Sequence, residues 1–418
     1  MEFRFSRAQG LEEAKAFLAQ ALSSGKFPHA LLVHGAQGVG QNPLLLDLAD
    51  ILLCEAADFR PCGICPGCLG RQRNNLDNLS FLMPIEKKDK ASASGDGDGS
   101  MEDSQVDELT ERAKDFHADP YGFSRSEKAN LNVGQIRSLQ ARLSFAEVSQ
   151  RPRIVVILWA ETMAASAANT LLKTLEEPPA NTYFLLSSDD RSVLLPTILS
   201  RCTQLALFPL GPDALRAVLA DKRKAWDMEM LPERLIPFAE GSPGALLSLH
   251  RNGGDTLLEE AGRFLDASLQ GDWAAFSTYL EESDAFADLQ GAARLLHFLL
   301  RTVRLFHRLE ALEGPIERAH AASGALSKRE ASYEYAWTRE ALKRQGLDPS
   351  LADVIGALEG STGLRGGLVA GLGSLSAYTA WIEELLGAVQ SYAKPKVAAL
   401  GLYLEFAAKQ SRKEPQTC

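Results

Sequence analysis

The sequence has no apolar run of the length a membrane span needs, about 18 residues. Its first residues, MEFRFSRAQGLEEAK, hold no apolar stretch of the kind a secretory signal requires. Both absences lead us to expect a cytoplasmic chain with no membrane partner. An excess of basic residues is missing too: 44 Lys and Arg stand against 54 Asp and Glu, a formal net charge of −10. Affinity for nucleic acid comes mostly from neutralising phosphates with Lys and Arg, so the chain is not expected to coat DNA by itself.

What is present is enough apolar sequence for more than one core, and 418 residues predict two or three domains. HALLVHGAQGVGQNPLLLDLADILLC reads as a buried strand over Ala30 to His34, a glycine loop, and a helix with Leu44, Leu45, Leu48, Ile51 and Leu52 apolar. A second apolar run, Ile154 to Leu158, is rich in β-branched residues, as a buried parallel strand should be. Ala167, Ala168, Leu171, Leu172 and Leu175 then form a helical stripe that Pro178-Pro179 ends. TYFLLSS supplies a third strand and leads into LLPTILSRC. Strands alternating with helices predict a parallel α/β sheet, and the helical periodicity after Gly241 predicts an all-α C-terminal part. Residues 86–128 are polar and acidic, so they read as a mostly disordered insertion with a short helix near Val106 to Phe116.

GAQGVGQN has the outline of a phosphate-binding loop. Gly35, Gly38 and Gly40 keep the glycine framework, but Gln41 stands where lysine belongs and Asn42 where serine or threonine belongs. Alone, the stretch also reads as an ordinary glycine turn. Cys54, Cys62, Cys65 and Cys68 form C-x7-C-x2-C-x2-C, and four thiolates suit tetrahedral Zn²⁺ with no open position, which makes structural zinc the favoured reading. Unpaired or redox cysteines, and a zinc module that reads DNA, are the alternatives. Cys202 and Cys418 lie too far along the chain to be expected as ligands.

HALLVHGAQGVGQ, the four-cysteine module, AANTLLKTLEEPPANTYFLLSS and LLPTILSRC, in that order over residues 1–250, resemble the bacterial clamp-loader ATPases of DNA polymerase III. The resemblance implies an AAA+ α/β subdomain over 1–207, containing the cysteine module at 54–68 and the insertion at 86–128. It further implies a small helical lid over 208–252 and an α-helical collar over 253–418.

It also exposes departures. IVVILWAETM occupies the Walker B position, with Leu158 and Trp159 where an active member carries Asp-Glu, and Gly244 stands where the lid would carry an arginine. With these groups absent, little is left to stabilise a phosphoryl-transfer transition state, and the resemblance implies a subunit that does not hydrolyse ATP. Gln41 and Asn42 can still donate to a phosphate, so ATP is expected to bind weakly or not at all. Arg201, in Ser200-Arg201-Cys202, is implied to be an arginine finger acting on a neighbour's ATP; a surface ion pair is the plainer reading. Lys173, Glu176, Glu177 and Ser200 are implied interface residues, with helix-surface pairing of Lys173 and Glu177 as the alternative. The implied partners are the motor subunits gamma/tau, the delta subunit, and, through the complex, the sliding clamp and primer-template DNA. The competing function is an active gamma/tau-like ATPase with an atypical nucleotide site.

Overall fold

The computed structural model describes residues 2–72, 78–86, 103–126, 128–145, 151–228, 232–269, 273–302, 375–391, 394–400 and 402–403. After a short strand β1 (Glu2–Phe3) and helix α1 (Glu12–Ser23) come β2 (Ala30–His34), α2 (Gln41–Leu53), β3 (Phe59–Arg60), α3 (Pro66–Gln72) and β4 (Leu79–Leu82). Then follow α4 (Asp103–Ala118), α5 (Val133–Phe145), β5 (Arg153–Ile157), α6 (Ala165–Glu176), β6 (Thr182–Ser188), α7 (Pro196–Leu199) and β7 (Thr203–Ala206). Five strands form a parallel sheet in the order β4-β5-β6-β2-β7, while β1 pairs with β3 beside the cysteine module. This is the parallel α/β sheet expected from the sequence, with β2 and β6 adjacent although far apart in the chain.

Alternation along each strand decides what covers each face. Ala30, Leu32, Phe184 and Leu186 share a core with Ile136 and Leu139 of α5 and Leu171 and Leu175 of α6. The opposite face meets α2, which is buried nearly all round: of its charged residues, Asp47 is 1% and Asp50 8% exposed. Carboxylates so buried need partners. Asp47 accepts the N–H groups of Arg7 and Ala8, both at 2.9 Å, and Arg7 Nη1 at 3.0 Å. Asp50 lies 2.7 Å from Arg7 and 2.8 Å from Arg71, and Arg71 reaches His117 Nδ1 at 2.8 Å. This chain of charges ties the N-terminal arm, α2, α3 and α4 together.

The chain divides into two compact units, Met1–Glu229 with Gly241–Ser248, and Met230–Glu240 with Leu249–Cys418. Residues 208–252 therefore contribute to both: α8 (Pro212–Lys222) and most of α9 (Pro243–Arg251) to the first, 230–240 and 249–252 to the second. The second unit is helical among its described residues: α10 (Gly254–Leu269), α11 (Trp273–Glu282), a run over 289–302, and Leu375–Ser391. Aromatics fill its core, where Phe264 stacks on Phe286 and Trp381, and Phe276 on Tyr403 at 4.1 Å. No described helix is long and apolar enough to cross a membrane.

Among its described residues, the insertion holds more helix than its composition predicts. α4 is 16 residues long, longer than the expected helix, and Phe116 is fully buried against Phe81 and Phe123. Its apolar residues are few but placed on one side, over the edge strand β4, where covering a strand edge favours order. Residues 87–102 of the insertion and Cys418 lie outside the described residues.

Candidate functional site

The glycine loop leaves the carboxyl end of β2, and the N–H of Gly35 donates to the Ser188 carbonyl at the end of β6, 3.2 Å away. Gly40 has φ of 136°, a conformation that side chains rarely adopt. Gln41 begins α2 with only 3% of its surface exposed. Its Nε2 donates to the carbonyls of Gly35 at 2.7 Å and Ala36 at 2.9 Å, and its Oε1 accepts the Gly40 N–H at 3.2 Å. Sequence reasoning left Gln41 able to donate to a phosphate. In the structure both its amide hydrogens are engaged by the loop it belongs to, and it also occupies an N–H that a phosphate cradle would offer.

The start of α9 closes over the same loop. Ser242 Oγ donates to the Gln37 carbonyl at 2.8 Å and the Gly244 N–H to the Gly38 carbonyl at 3.0 Å. A Cβ at Gly244 would lie 2.8 Å from the Gly38 Cα and 2.8 Å from the Tyr121 carbonyl oxygen. Position 244 thus has no room for any side chain, arginine included.

At the end of β5, Leu158 is fully buried and Trp159 is 2% exposed, with φ of 52°. The Trp159 N–H donates to Ser187 Oγ at 3.1 Å, its indole N–H donates to Asp189 Oδ2 at 3.0 Å, and its ring stacks on Phe123 with centroids 5.5 Å apart. Glu161 accepts the Asp189 N–H at 3.4 Å and lies 4.0 Å from Arg125. Burial, then the Glu161 charge, push the Asp189 carboxyl up to about 7 against the opposing pull of Arg125 and Trp159.

The four cysteines of the C-x7-C-x2-C-x2-C motif meet. Their sulfurs all lie within 4.8 Å of one another, with Cys54 to Cys65 at 3.9 Å and Cys62 to Cys68 at 4.0 Å. Tetrahedral Zn–S bonds of about 2.3 Å set sulfurs about 3.8 Å apart, so the donor set fits that ion. None of the four is in a disulfide, and backbone N–H groups point at their sulfurs: Cys62 to Cys54 and Cys65 to Cys62, both at 3.3 Å. Burial pushes Cys54 and Cys68 up, while the N–H groups of Ile64 and Cys65 hold Cys62 down at about 6. Cys202 is buried and takes no part in the cluster.

Arg201 follows α7 and is partly exposed. Nη1 donates to the Thr197 carbonyl at 2.9 Å and to Ser200 Oγ at 3.4 Å, and Nη2 pairs with Glu176. The structure therefore joins Arg201, Ser200 and Glu176 in one patch, with Lys173 and Glu177 exposed on the last turn of α6. Glu176 finds its cation in Arg201, a pairing the helical spacing of Lys173 and Glu177 did not suggest.

Tyr121, Phe123, Arg125, Glu161 and Asp189 were missed. The signal was present in HADPYGF, where aromatics appear in an otherwise polar insertion, but nothing in the sequence says which residues they meet.

The family model described as DNA polymerase III, delta subunit matches residues 10–211. The delta prime subunit of DNA polymerase III from Haemophilus influenzae is 30% identical over 185 residues, 44% of this chain and 44% of that one. That of Escherichia coli is 29% identical over 281 residues, 67% of this chain and 72% of that one. The tau subunit of Escherichia coli is 30% identical over 250 residues, 59% of this chain and 32% of that one. The chain thus spans less than half the length of the Haemophilus relative and about a third of the tau subunit. Among solved structures, a gamma subunit-related protein of Thermotoga maritima aligns at 14% identity and TM-score 0.33, covering 85% of this chain and 99% of that one.

Proposed function

We propose that this chain, which resembles the delta prime subunits of bacterial DNA polymerase III, is an AAA+ subunit of the clamp loader that does not itself hydrolyse ATP. The observation that carries this reading is the Gln41 side chain, folded into the loop and bonded to Gly35, Ala36 and Gly40. With Trp159 at the strand end and no space at Gly244, the chain has no cation for the γ-phosphate and no acid for Mg²⁺ at the expected positions.

Arg201 takes the opposite part. Its guanidinium is partly exposed and held by Thr197, Ser200 and Glu176, all on this chain. A planar fork of this kind suits the γ-phosphate of a nucleotide held by a neighbouring gamma/tau motor subunit, and exchanging Glu176 for that phosphate would deliver it. Lys173, Glu176, Glu177 and Ser200 border that contact. The second unit would serve as the collar that joins this chain to the motor and delta subunits, and the assembled loader would place the sliding clamp on primed DNA. Cys54, Cys62, Cys65 and Cys68 would hold structural Zn²⁺, which would supply a cross-link between the end of α2 and the start of α3 and no chemistry.

The test is ATP turnover by a reconstituted loader with DNA and clamp, wild type against Arg201→Ala, beside the isolated chain. We expect an inert isolated chain and a sharp loss of turnover in the Arg201→Ala loader. Motor-like hydrolysis by the isolated chain would sink the proposal.

A further inference from the structure

The residues after α4 are mostly half-buried, and Tyr121 among them is buried. Asp119 opens a tight turn, accepting the Gly122 N–H on Oδ1 at 3.0 Å and the Phe123 N–H on its carbonyl at 2.9 Å. Beyond it, three side chains enter the glycine-loop site in succession. Tyr121, 6% exposed, brings its hydroxyl to the Gln9 N–H at 3.3 Å, and a Cβ on Gly40 would lie 3.8 Å from that hydroxyl. The Tyr121 carbonyl faces Gly244, and its ring stands edge-on to Trp226 at 5.6 Å. Phe123 stacks on Trp159 with the rings tilted by 28°, and Arg125 faces Glu161. The turn is braced from behind by α4: the Arg112 guanidinium sits 5.0 Å from the Phe123 ring centroid and its Nη2 donates to the Ser124 carbonyl at 3.3 Å.

A P-loop protein surrounds its phosphates with the glycine loop, the Walker B strand end and their cations. Asp119–Ser126 comes close to the first, where the Tyr121 hydroxyl leaves little more than room for a Cβ at Gly40, meets the second at Trp159, and faces the helix start that closes over the loop at Gly244. It also brings a cation, Arg125, to the carboxylates Glu161 and Asp189. We propose that Asp119–Ser126 is a built-in strap that occupies the degenerate nucleotide site, so that the ligand completing this half of the fold is a segment of the chain's own insertion. The proposal rests on reading GAQGVGQN as a former nucleotide loop, but not on the role given to Arg201. The insertion thereby gains a function. α4 anchors the strap through Phe116 and through His117 on Arg71, and the strap holds the loop, β5 and α9 in place without a nucleotide.

Two measurements on the full chain test it. Hydrogen exchange of the wild type compares peptides covering 119–126 with those covering 35–44. A strap that completes the site opens with the loop, so both are expected to share one opening rate. Exchange of 119–126 at the rate of an unstructured segment, with 35–44 still protected, would overturn the proposal. The second measurement restores the motif with Gln41→Lys and Asn42→Thr, with and without Tyr121→Ala and Phe123→Ala, and titrates a fluorescent ADP analogue with Mg²⁺. A site open only a tenth of the time binds about tenfold more weakly, so opening the strap is expected to strengthen binding by about tenfold or more. Equal affinity in the two restored variants, or no binding by either, overturns it. Exchange at β6 serves as the folding control. Should the strap variant fail that control, the wild-type exchange comparison decides alone.

Discussion

Gln41 is one atom shorter than the lysine of a phosphate-binding loop but carries an acceptor as well as donors, and the loop uses both. Gln41→Met keeps the volume and removes all three bonds, leaving the Gly40 N–H and two carbonyls to find other partners. An orphaned buried polar group costs about 1–3 kcal/mol, and we expect the β2 and β6 amides of Gln41→Met to exchange faster by an opening free energy of that order. Unchanged exchange would mean the loop needs no brace. Asp189 makes a prediction with a sign. Its carboxyl is raised from 3.8 to about 7 in the fold, so the folded chain binds the extra proton and stability falls as pH climbs from about 4 through 7. The groups facing it are Glu161, Arg125 and the Trp159 indole N–H. Asp189→Asn still accepts from Trp159 and cannot ionise. It is expected to be more stable than wild type at pH 8, by on the order of 3 kcal/mol, and to flatten the slope between pH 4 and 7. A parallel slope in the variant would refute the assignment. At this scale the sequence told which residue types were missing from the loop, because spacing alone defines those positions. It did not tell that Gln41 turns inward, since a glutamine amide has the same formula whether it faces a phosphate or a carbonyl.

The elements were legible where periodicity is strong. Ala30–His34 and Thr182–Ser188 are the strands their apolar runs predicted, and α6 ends where Pro178-Pro179 follows. Where the insertion is described, its helix is longer than the sequence suggested, because composition averages over 43 residues whereas burial is decided by a few: Phe116 and Tyr121 seat α4 and the turn after it. The cysteine module is the reverse case, since its spacing pointed to the cluster before any contact was known. Its order is expected to depend on the Zn²⁺ proposed to fill it. α3 carries Arg71, which meets Asp50 of α2, so the module's position is coupled to the helix that starts at Gln41. Cys65→Ser is expected to leave the purified chain with no bound zinc by mass spectrometry and to speed hydrogen exchange in α3 and β3 first. Losing one partner of a buried charge chain is strongly destabilising, so exchange is expected to spread from Arg71 to α4. A variant that keeps one zinc per chain would show that this cysteine is not a ligand.

For the whole molecule, the two units differ in what they carry. The first holds the family match and every site residue, and residues 10–211 contain nearly all of its sheet. The second shows only a helical core among its described residues, since amphipathic periodicity reveals that a helix packs without revealing against what. The proposed division of labour, with no working site of its own and a finger for a neighbour's, separates assembly from chemistry, and that separation can be measured. Within this chain Arg201 makes only surface interactions, and an exposed ion pair such as that with Glu176 contributes about 0–1 kcal/mol. Removing it should leave this chain and the loader's assembly intact. At the neighbour's phosphate the same group would act in the transition state, where arginine fingers contribute about 10³ to 10⁵ in rate. Arg201→Lys keeps the charge but not the planar fork of donors, so it too is expected to lose most of the turnover at that site while sedimenting in a complete loader. If Arg201→Lys restored wild-type turnover, charge alone would suffice and the bidentate contact would be wrong. If both variants failed to assemble, Arg201 would be an interface residue, and its pairing with Glu176 the bond that shapes that interface.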